Sequence, residues 1–352
     1  MPFTPVLASN KIYSWEVKSF PKSISQLTKP LHLTYSLKPG KSPFDIVPDP
    51  KNKHNNVLRS IYPAHSYAHS GDPHAQFISD PLPIKAFTGS QNRYIRMEYQ
   101  LMFQPGFKWV KGGKLPGILL GSERGCNAGC SGGGTAENCF STRMMWRADG
   151  KAELYLYAAR SVYFPKMSPE TCKRSLDKRS PEALFQLQQK WLNADRIPDE
   201  AEEKAILNAN GLGLNKREDG SCLNGMGVKI SPGATNLCNP SYGISIGRGG
   251  SLKFKSGTWH NITQVVRINS KGKAVRDGYL AVYLDGKKVI SANKLVFLKD
   301  GYNSKSKGDD SLVKFMFSSF FGGGTSDYAT PKKQWIAWKG FKMATSAVNI
   351  WK

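Results

Sequence analysis

The sequence contains no apolar run long enough to cross a membrane. A spanning helix needs about 20 consecutive apolar residues, and no stretch of the 352 residues approaches that length. The first residues, Met1 to Pro5, lack the charged and then apolar pattern of a secretory signal peptide. We therefore expect neither a membrane partner nor ordinary export.

Acidic residues are scarce relative to basic ones. The chain has 50 Lys and Arg against 26 Asp and Glu, which gives a net charge of +24. Such a charge implies a large polyanionic partner: nucleic acid, an anionic membrane surface or an acidic polysaccharide. The basic residues are scattered, and the sequence shows no zinc-finger spacing, homeodomain-like helix or RNA-binding signature. We expect an acidic polysaccharide and no specific nucleic acid.

Residue patterns typical of hydrolases and metal sites are also missing. The six histidines show no Ser-His-Asp grouping and no His-x-x-x-His pair. Cys126, Cys130 and Cys139 lack zinc-finger spacing and have no His nearby, so we expect no metal. The even number of cysteines, six, favours disulfides, although the sequence alone cannot select their pairing.

Short alternating runs that end at Gly, Asp-Gly or Asn predict a mainly antiparallel β fold. Asp149-Gly150 and Asp285-Gly286 predict tight hairpin turns, because both residue types tolerate left-handed backbone angles. The clearest predicted strands are Tyr94 to Phe103, Phe140 to Trp146, Ala152 to Tyr157, Trp259 to Asn269, Tyr279 to Leu284 and Lys314 to Phe320.

The pattern predicts one large domain, residues 57–352, preceded by an N-terminal extension, residues 1–56, that packs on it. The extension is rich in Pro, Lys and Ser, with one predicted strand at Leu31 to Leu37 and a polar linker at Pro48 to Asn56. Helical spacing between Ser180 and Asn210 predicts a small helical insertion at about 162–224. A disulfide between Cys172 and Cys222 would close its base.

The most unusual segment runs from Trp109 to Gly117, where Lys111 and Lys114 flank paired glycines. Glycine allows a ligand to approach the backbone closely, and the spacing is not that of a phosphate loop. We interpret the segment as a basic loop at a binding site. The alternative is a solvated basic loop without function.

Two predicted strands after this loop present polar groups on one surface. Alternation places Ser141 and Arg143 on one face of the first strand, and Tyr155 and Tyr157 on one face of the second. This set suits β-elimination from a uronate, which needs a cation at the carboxylate, a base for the C5 proton and an acid for the departing O4. Tyr or Lys can fill either role if neighbouring cations lower its pKa. The alternative is a Tyr-rich strand that faces solvent or packs in the core.

At these segments the chain resembles family-14 polysaccharide lyases, the group of alginate and glucuronan lyases from molluscs, fungi and algal viruses, and most closely the algal (Chlorella) virus enzymes. The resemblance implies a jelly-roll β-sandwich of two antiparallel sheets with a concave substrate groove and no cofactor. It covers about Val57 to Phe341, apart from the insertion. The segments that carry it are Lys111 to Gly117, Cys130 to Gly133, Cys139 to Arg143, Leu154 to Tyr157, Gly257 to Gln264 and Phe320 to Gly323.

The resemblance also implies roles for individual residues. It implies a disulfide between Cys130 and Cys139. Substrate binding is assigned to Arg59, His65, Lys111 and Gln264, where His65 stands in a segment that departs from the family pattern. The candidate catalytic residues are Lys114, Ser141, Arg143, Tyr155 and Tyr157.

The sequence thus predicts a monomeric polysaccharide lyase that cleaves a glucuronan- or alginate-type polymer, such as an algal cell wall, by β-elimination. We expect the protein to be associated with a virion or released to act on an extracellular wall. The alternatives are a non-catalytic jelly-roll module that binds acidic polysaccharide and a nucleic-acid-binding protein.

Overall fold

The structure is a computed structural model that describes residues 12–33, 42–68, 75–82, 93–121, 130–131, 136–137, 139–164, 220–239, 243–301, 313–323 and 325–347. Their regular secondary structure is almost entirely β-strand, as the alternating pattern predicts. The predicted helices between Ser180 and Asn210 lie outside the described residues. No helix in the described part of the chain is long and apolar enough to cross a membrane.

The described residues form sixteen strands, one short α-helix, α1 (Arg160–Tyr163), and short 3-10 helices at Ile24–Leu27, Ala148–Gly150, Ser221–Leu223 and Ser326–Tyr328. The strands are β1 (Tyr13–Glu16), β2 (Phe44–Asp49), β3 (Asn52–Tyr62), β4 (Ala75–Ile78), β5 (Tyr94–Phe103), β6 (Gly112–Gly121), β7 (Cys139–Arg147), β8 (Ala152–Tyr157), β9 (Lys229–Ile230), β10 (Thr235–Asn239), β11 (Gly243–Arg248), β12 (His260–Arg267), β13 (Gly278–Leu284), β14 (Lys287–Leu295), β15 (Val313–Phe321) and β16 (Gln334–Ser346).

Two antiparallel sheets pack face to face, which is the jelly-roll sandwich expected from the sequence. The first sheet has nine strands in the order β2-β3-β16-β5-β12-β13-β14-β9, with β1 paired to β16. The second has seven strands in the order β10-β11-β8-β7-β6-β15-β4. The second sheet places β6, β7 and β8 side by side at its centre.

Most of the predicted strands lie within one or two residues of a strand in the structure. The predicted strands Tyr94 to Phe103 and Ala152 to Tyr157 coincide with β5 and β8. Asp149 and Asp285 have φ angles of 59° and 52°, the left-handed conformation that the predicted turns require. The alternation of apolar and polar residues with a period of two is therefore the feature of the sequence that predicts these strands.

The N-terminal segment differs from its prediction. Pro48 to Asn56 is not a linker, because it ends β2 and begins β3, which pair with each other. The polar residues there serve the turn: the buried Asp49 carboxylate accepts a hydrogen bond from the Lys51 backbone N–H at 2.8 Å. Leu31 to Leu33 form a turn and not a strand, and the rest of that predicted strand lies outside the described residues.

The Gly-Gly-Lys segment also differs, because residues 112–117 belong to strand β6 and not to a loop. Its glycines permit close packing between strands. A Cβ atom at Gly113 would lie 2.0 Å from the Trp146 ring, and one at Gly117 would lie 1.5 Å from the backbone oxygen of Thr142. The pairing with β7 shifts register between Lys114 and Gly117, which accommodates Pro116, a residue without an N–H.

The core lies between the sheets and is rich in aromatic rings. Trp146 on β7 is fully buried and packs against Phe103, Phe107 and Phe321 with ring centroids 5.3 to 5.9 Å apart. The apolar face of the second sheet is therefore occupied by the core. Its other face is left for the candidate site.

The cysteine pairing corrects one expectation. Cys222 forms a disulfide with Cys238, with Cα atoms 6.0 Å apart, so the predicted bridge between Cys172 and Cys222 is wrong. Cys222 lies in a short turn, Ser221–Leu223, that packs beside β10, and β10 carries Cys238. The bridge therefore ties the chain after the predicted insertion to the edge of the second sheet.

Candidate active site

Strands β6, β7 and β8 bring the five candidate catalytic residues to one face of the second sheet. Arg143 pairs in register with Tyr155, and Ser141 pairs with Tyr157. Lys114 on β6 pairs with Met145, two positions beyond Arg143 on the same face of β7. Short-range alternation and the hairpin register together assemble this cluster.

Lys114 is half-buried and lies against a tyrosine. Its Nζ atom is 3.4 Å from the Tyr155 ring centroid and 3.1 Å from Met145 Sδ. Burial lowers the pKa of Lys114 well below its ordinary value, the charges of Arg143 and Arg147 lower it further, and only Glu153 acts in the opposite direction. The amine therefore becomes neutral at a lower pH than a free lysine does, which is what a general base requires.

The pKa of Tyr155 is shifted in the opposite direction to that of Lys114. Burial raises its pKa well above the ordinary value, Tyr157 raises it further, and the opposing effect of Arg143 is smaller. The condition that neighbouring cations lower the pKa is therefore not met at Tyr155, because desolvation outweighs the nearby charge. The two tyrosine rings meet edge to face with centroids 5.4 Å apart. Tyr155 keeps its proton, as a general acid must.

Arg143 is a buried cation. Its residue is 4% exposed, and Nη1 donates to Ser318 Oγ at 3.5 Å. Within the described residues no carboxylate forms a salt bridge with it, and its Nε is buried without a hydrogen-bond partner. Burial lowers its pKa, against the opposing influence of Tyr157 and Tyr155. A buried guanidinium of this kind would gain a counter-ion from a bound anion.

Ser141 is fully buried, and its Oγ donates a hydrogen bond to the backbone oxygen of Cys130. The structure pairs Cys130 with Cys139 in a disulfide, with Cα atoms 6.0 Å apart. Cys130 and Ala136 pack in a small apolar cluster with Tyr157 on this face. Ser141 therefore holds Cys130 against this face of the sheet.

Sequence reasoning missed a charged group on this face. Glu153 is completely buried, and its Oε1 accepts hydrogen bonds from Arg147 Nη2 at 2.5 Å and from Ser245 Oγ at 3.0 Å. Burial acts to lower the pKa of Arg147, yet the pKa is raised because the ion pair and hydrogen bond with Glu153 outweigh it. Alternation could have found both residues, since Glu153 lies two positions from Tyr155 and Arg147 lies four positions from Arg143.

Two of the predicted substrate-binding residues lie near a short turn, Ser326–Tyr328. Lys111 forms an ion pair with Asp327, and its Nζ is 5.5 Å from the Tyr328 ring centroid. His65 is exposed and donates its backbone N–H to Thr330 O at 2.7 Å. Both residues therefore flank the loop that follows β15.

The other two predicted substrate-binding residues are not brought to the cluster. Gln264 is fully buried between the sheets, where its Oε1 accepts a hydrogen bond from Thr142 Oγ1 at 2.5 Å. It lies behind the site because Thr142 is on the core face of β7. Arg59 pairs with Asp45 at 2.5 Å on the outer face of the first sheet, since its neighbour Ser60 points inward to Trp338.

No group of three or more His, Cys, Asp or Glu side chains that could hold a metal ion occurs within the part of the chain that the structure describes. The described face offers instead an amine, a guanidinium and two phenols. These groups can move protons and bind a carboxylate.

Comparison with solved structures shows the same sandwich in known lyases. The PL-14 alginate lyase from Aplysia kurodai matches with a TM-score of 0.56 and 24% identity, covering 94% of this chain and 97% of that one. Alginate lyase Aly36B, in complex with alginate trisaccharide, matches with a TM-score of 0.50 and 13% identity over 96% and 98%. An alginate lyase from Chlorella virus matches with a TM-score of 0.46 and 18% identity over 82% and 84%.

Sequence comparison identifies the family. No curated protein sequence matches the chain, but the family model "Polysaccharide lyase 14" matches residues 50–193 and 224–341. The gap in this match falls inside the predicted insertion. The match covers well over half of the chain, including all five candidate catalytic residues, and the chain therefore belongs to polysaccharide lyase family 14.

Proposed function

We propose that the protein cleaves a uronic-acid-containing polysaccharide of the glucuronan or alginate type by β-elimination, leaving an unsaturated uronate end. The proposal rests on the arrangement of three side chains. An amine with a lowered pKa, Lys114, lies against a phenol with a raised pKa, Tyr155, beside the buried guanidinium of Arg143.

Arg143 binds the carboxylate of the sugar that is to be cleaved. The C5 hydrogen of a uronate is weakly acidic while the carboxylate carries its full negative charge. A charge-assisted hydrogen bond from the guanidinium stabilises the extra negative charge that develops when the C5 proton leaves. The low exposure of Arg143 strengthens this interaction, because little water competes for the carboxylate.

Lys114 and Tyr155 carry the two proton transfers. The neutral amine of Lys114 takes the C5 proton, the C4–O4 bond breaks as the C4–C5 double bond forms, and the Tyr155 hydroxyl gives its proton to O4. The pKa directions fit this division, since Lys114 loses its proton more easily than usual and Tyr155 less easily. Arg143 Cζ lies 5.8 Å from the Tyr157 ring centroid, so Tyr157 lies beside the proposed carboxylate-binding group on the same face.

The similar structures support the substrate class. Two of them are alginate lyases with TM-scores of 0.50 or more, one of them in complex with an alginate oligosaccharide. A net charge of +24 favours any polyuronate over a neutral glycan. We propose a cell-wall polyuronate outside the cell as the natural substrate. The non-catalytic binding module is the weaker alternative, because it would not need a paired base and acid.

The net charge also bears on partners. Copies of a chain with a charge of +24 repel one another at low salt, so we propose that the enzyme acts as a monomer. We propose no specific nucleic-acid partner. A duplex DNA competitor that abolished binding to uronan would contradict this, whereas weak, salt-sensitive competition is expected from charge alone.

The test is direct. The purified protein is incubated with glucuronan, with alginate and with a neutral glucan, and the ultraviolet absorbance of the new double bond is followed. We expect absorbance to rise on a polyuronate and not on the glucan, and Lys114→Ala to abolish the rise. No unsaturated product on any polyuronate, under conditions where a known lyase is active, would refute the proposal.

A further inference from the structure

Glu153 is a buried carboxylate that the proposed reaction does not use. Its side chain is 0% exposed and lies between two arginines. Oε1 accepts a hydrogen bond from Arg147 Nη2 at 2.5 Å, and Oε2 is 3.7 Å from Arg248 Nε. Because one carboxylate faces two guanidinium groups, the three side chains keep one positive charge in excess.

An irregularity in β11 brings Arg248 to this face. Gly247 has a φ of +80°, and a Cβ atom there would lie 3.0 Å from Ile290 Cδ1 in the first sheet. Position 247 therefore faces the core, and the alternation that begins at Ser245 is broken. Arg248 then emerges on the same side as Glu153. A residue with a side chain at position 247 would be strained, so the glycine is part of the arrangement.

Both arginines have capacity left for a ligand. The Arg248 side chain is 39% exposed, and its distance to Glu153 is too long for a hydrogen bond. The Arg147 side chain is 14% exposed, and its described contacts to Glu153 and Met145 both use Nη2. The pair is therefore oriented by Glu153 but not neutralised by it.

The pair lies at a distance from Arg143 that suits a polymer. Arg143 and Arg147 are on the same face of β7, four positions apart, which corresponds to about 13 Å along a strand. A carboxylate bound at Arg147 and Arg248 cannot belong to the sugar whose carboxylate is bound at Arg143. It belongs to another uronate of the same chain.

We propose that Arg147 and Arg248, held by Glu153, form a second carboxylate-binding subsite for another uronate residue of the same substrate chain. This inference rests on the proposed function but concerns binding and not bond cleavage. Glu153 is a positioning residue in this scheme. The subsite makes the enzyme recognise a run of uronates, and a neutral sugar at that position weakens binding.

The experiment compares Arg248→Gln with Lys287→Gln in steady-state kinetics on a polyuronate. Lys287 is exposed on β14 in the other sheet, so its replacement removes the same charge outside the sheet that carries the subsite. We expect Arg248→Gln to raise KM about tenfold with kcat within about twofold of wild type, because a charge-assisted hydrogen bond is lost. Lys287→Gln should change neither. Arg248→Lys should restore part of the affinity, since the charge returns without the planar fork.

The outcomes separate the two proposals. A wild-type enzyme that gives no unsaturated product would refute the proposed function itself. An active wild type in which KM rises equally in Arg248→Gln and Lys287→Gln, or in which Arg248→Gln lowers kcat and leaves KM unchanged, would refute the subsite alone. As a second readout, cleavage of an end-labelled uronate oligosaccharide should shift to different bonds in Arg248→Gln. An unchanged pattern would also count against the subsite.

Discussion

The two faces of the β7–β8 hairpin are equally buried but chemically opposite. On the core side, Met144, Trp146, Leu154 and Leu156 are apolar and 0% exposed. On the other side the same two strands carry a cation, a carboxylate and two phenols, all between 0% and 7% exposed: Arg143, Glu153, Tyr155 and Tyr157.

The difference shows what each face does. Burying apolar surface stabilises the fold, whereas burying charged groups destabilises it unless they are paired and hydrogen-bonded. Glu153 is paired, but Arg143 has no salt bridge among the described residues. The burial of Arg143 therefore destabilises the fold, and the proposed reaction explains why a cation lies at this position. Substitutions on the two faces should have separable effects.

The largest effect on stability should come from the core face. Trp146→Ala removes a fully buried ring that contacts Phe103, Phe107 and Phe321 and whose Nε1 donates to Trp109 O. We expect a loss of about 3–5 kcal/mol in the free energy of unfolding, measured by denaturant titration. A loss below about 1 kcal/mol would show that the two faces do not divide as described.

A substitution on the polar face should instead lower the activity without lowering the stability. Lys114→Met keeps the length and apolar stem of the side chain but removes the amine, so we expect kcat to fall about 10²- to 10⁴-fold. The free energy of unfolding should stay the same or rise, because a cation in an unfavourable environment is gone. Product formation and thermal unfolding are measured on the same sample. A variant that is both unfolded and inactive would leave the separation unsupported, and Lys114→Gln then serves as the second substitution.

The sequence was sufficient where the pattern was local. Arg143, Tyr155 and Tyr157 could be assigned to one surface because strand alternation and the Asp149 turn are properties of neighbouring residues. The same rule could have placed Gln264 in the core, since it shares a face of β12 with two apolar residues, Ile262 and Val266. The prediction that Gln264 binds substrate came from the family resemblance and not from the alternation of the strand.

The sequence was insufficient where the arrangement depends on distant segments. The register shift that lets Pro116 sit inside β6 depends on the partner strand. The bridge between Cys222 and Cys238 depends on how a turn packs on a sheet edge. The position of Arg248 beside Glu153 depends on Gly247, whose backbone turns position 247 toward the core and so breaks the strand alternation. Such contacts are long-range packing outcomes, which no periodicity encodes.

The smallest predicted effect is a shift in the pH dependence of the activity. It tests which charged groups on the polar face set the pKa of Lys114. Activity needs the neutral amine of Lys114, so the rate should rise with pH through the pKa of that amine and stay high until Tyr155, whose pKa is raised, loses its proton. A purely acidic optimum would contradict this assignment. Glu153 is the anion that raises the pKa of Lys114, so its removal lowers that pKa further.

The rising limb of Glu153→Gln should therefore move to lower pH, because the amine becomes neutral sooner. Glutamine keeps an oxygen that can accept from Arg147 and Ser245, so the shape of the site is retained. Glu16→Gln, an exposed charge on β1, is the matched control and should leave the limb in place. The measurement is kcat/KM against pH for the three proteins. A shift of the Glu153→Gln limb to higher pH would mean that the titrating group is not Lys114, since the loss of a neighbouring anion cannot raise the pKa of an amine.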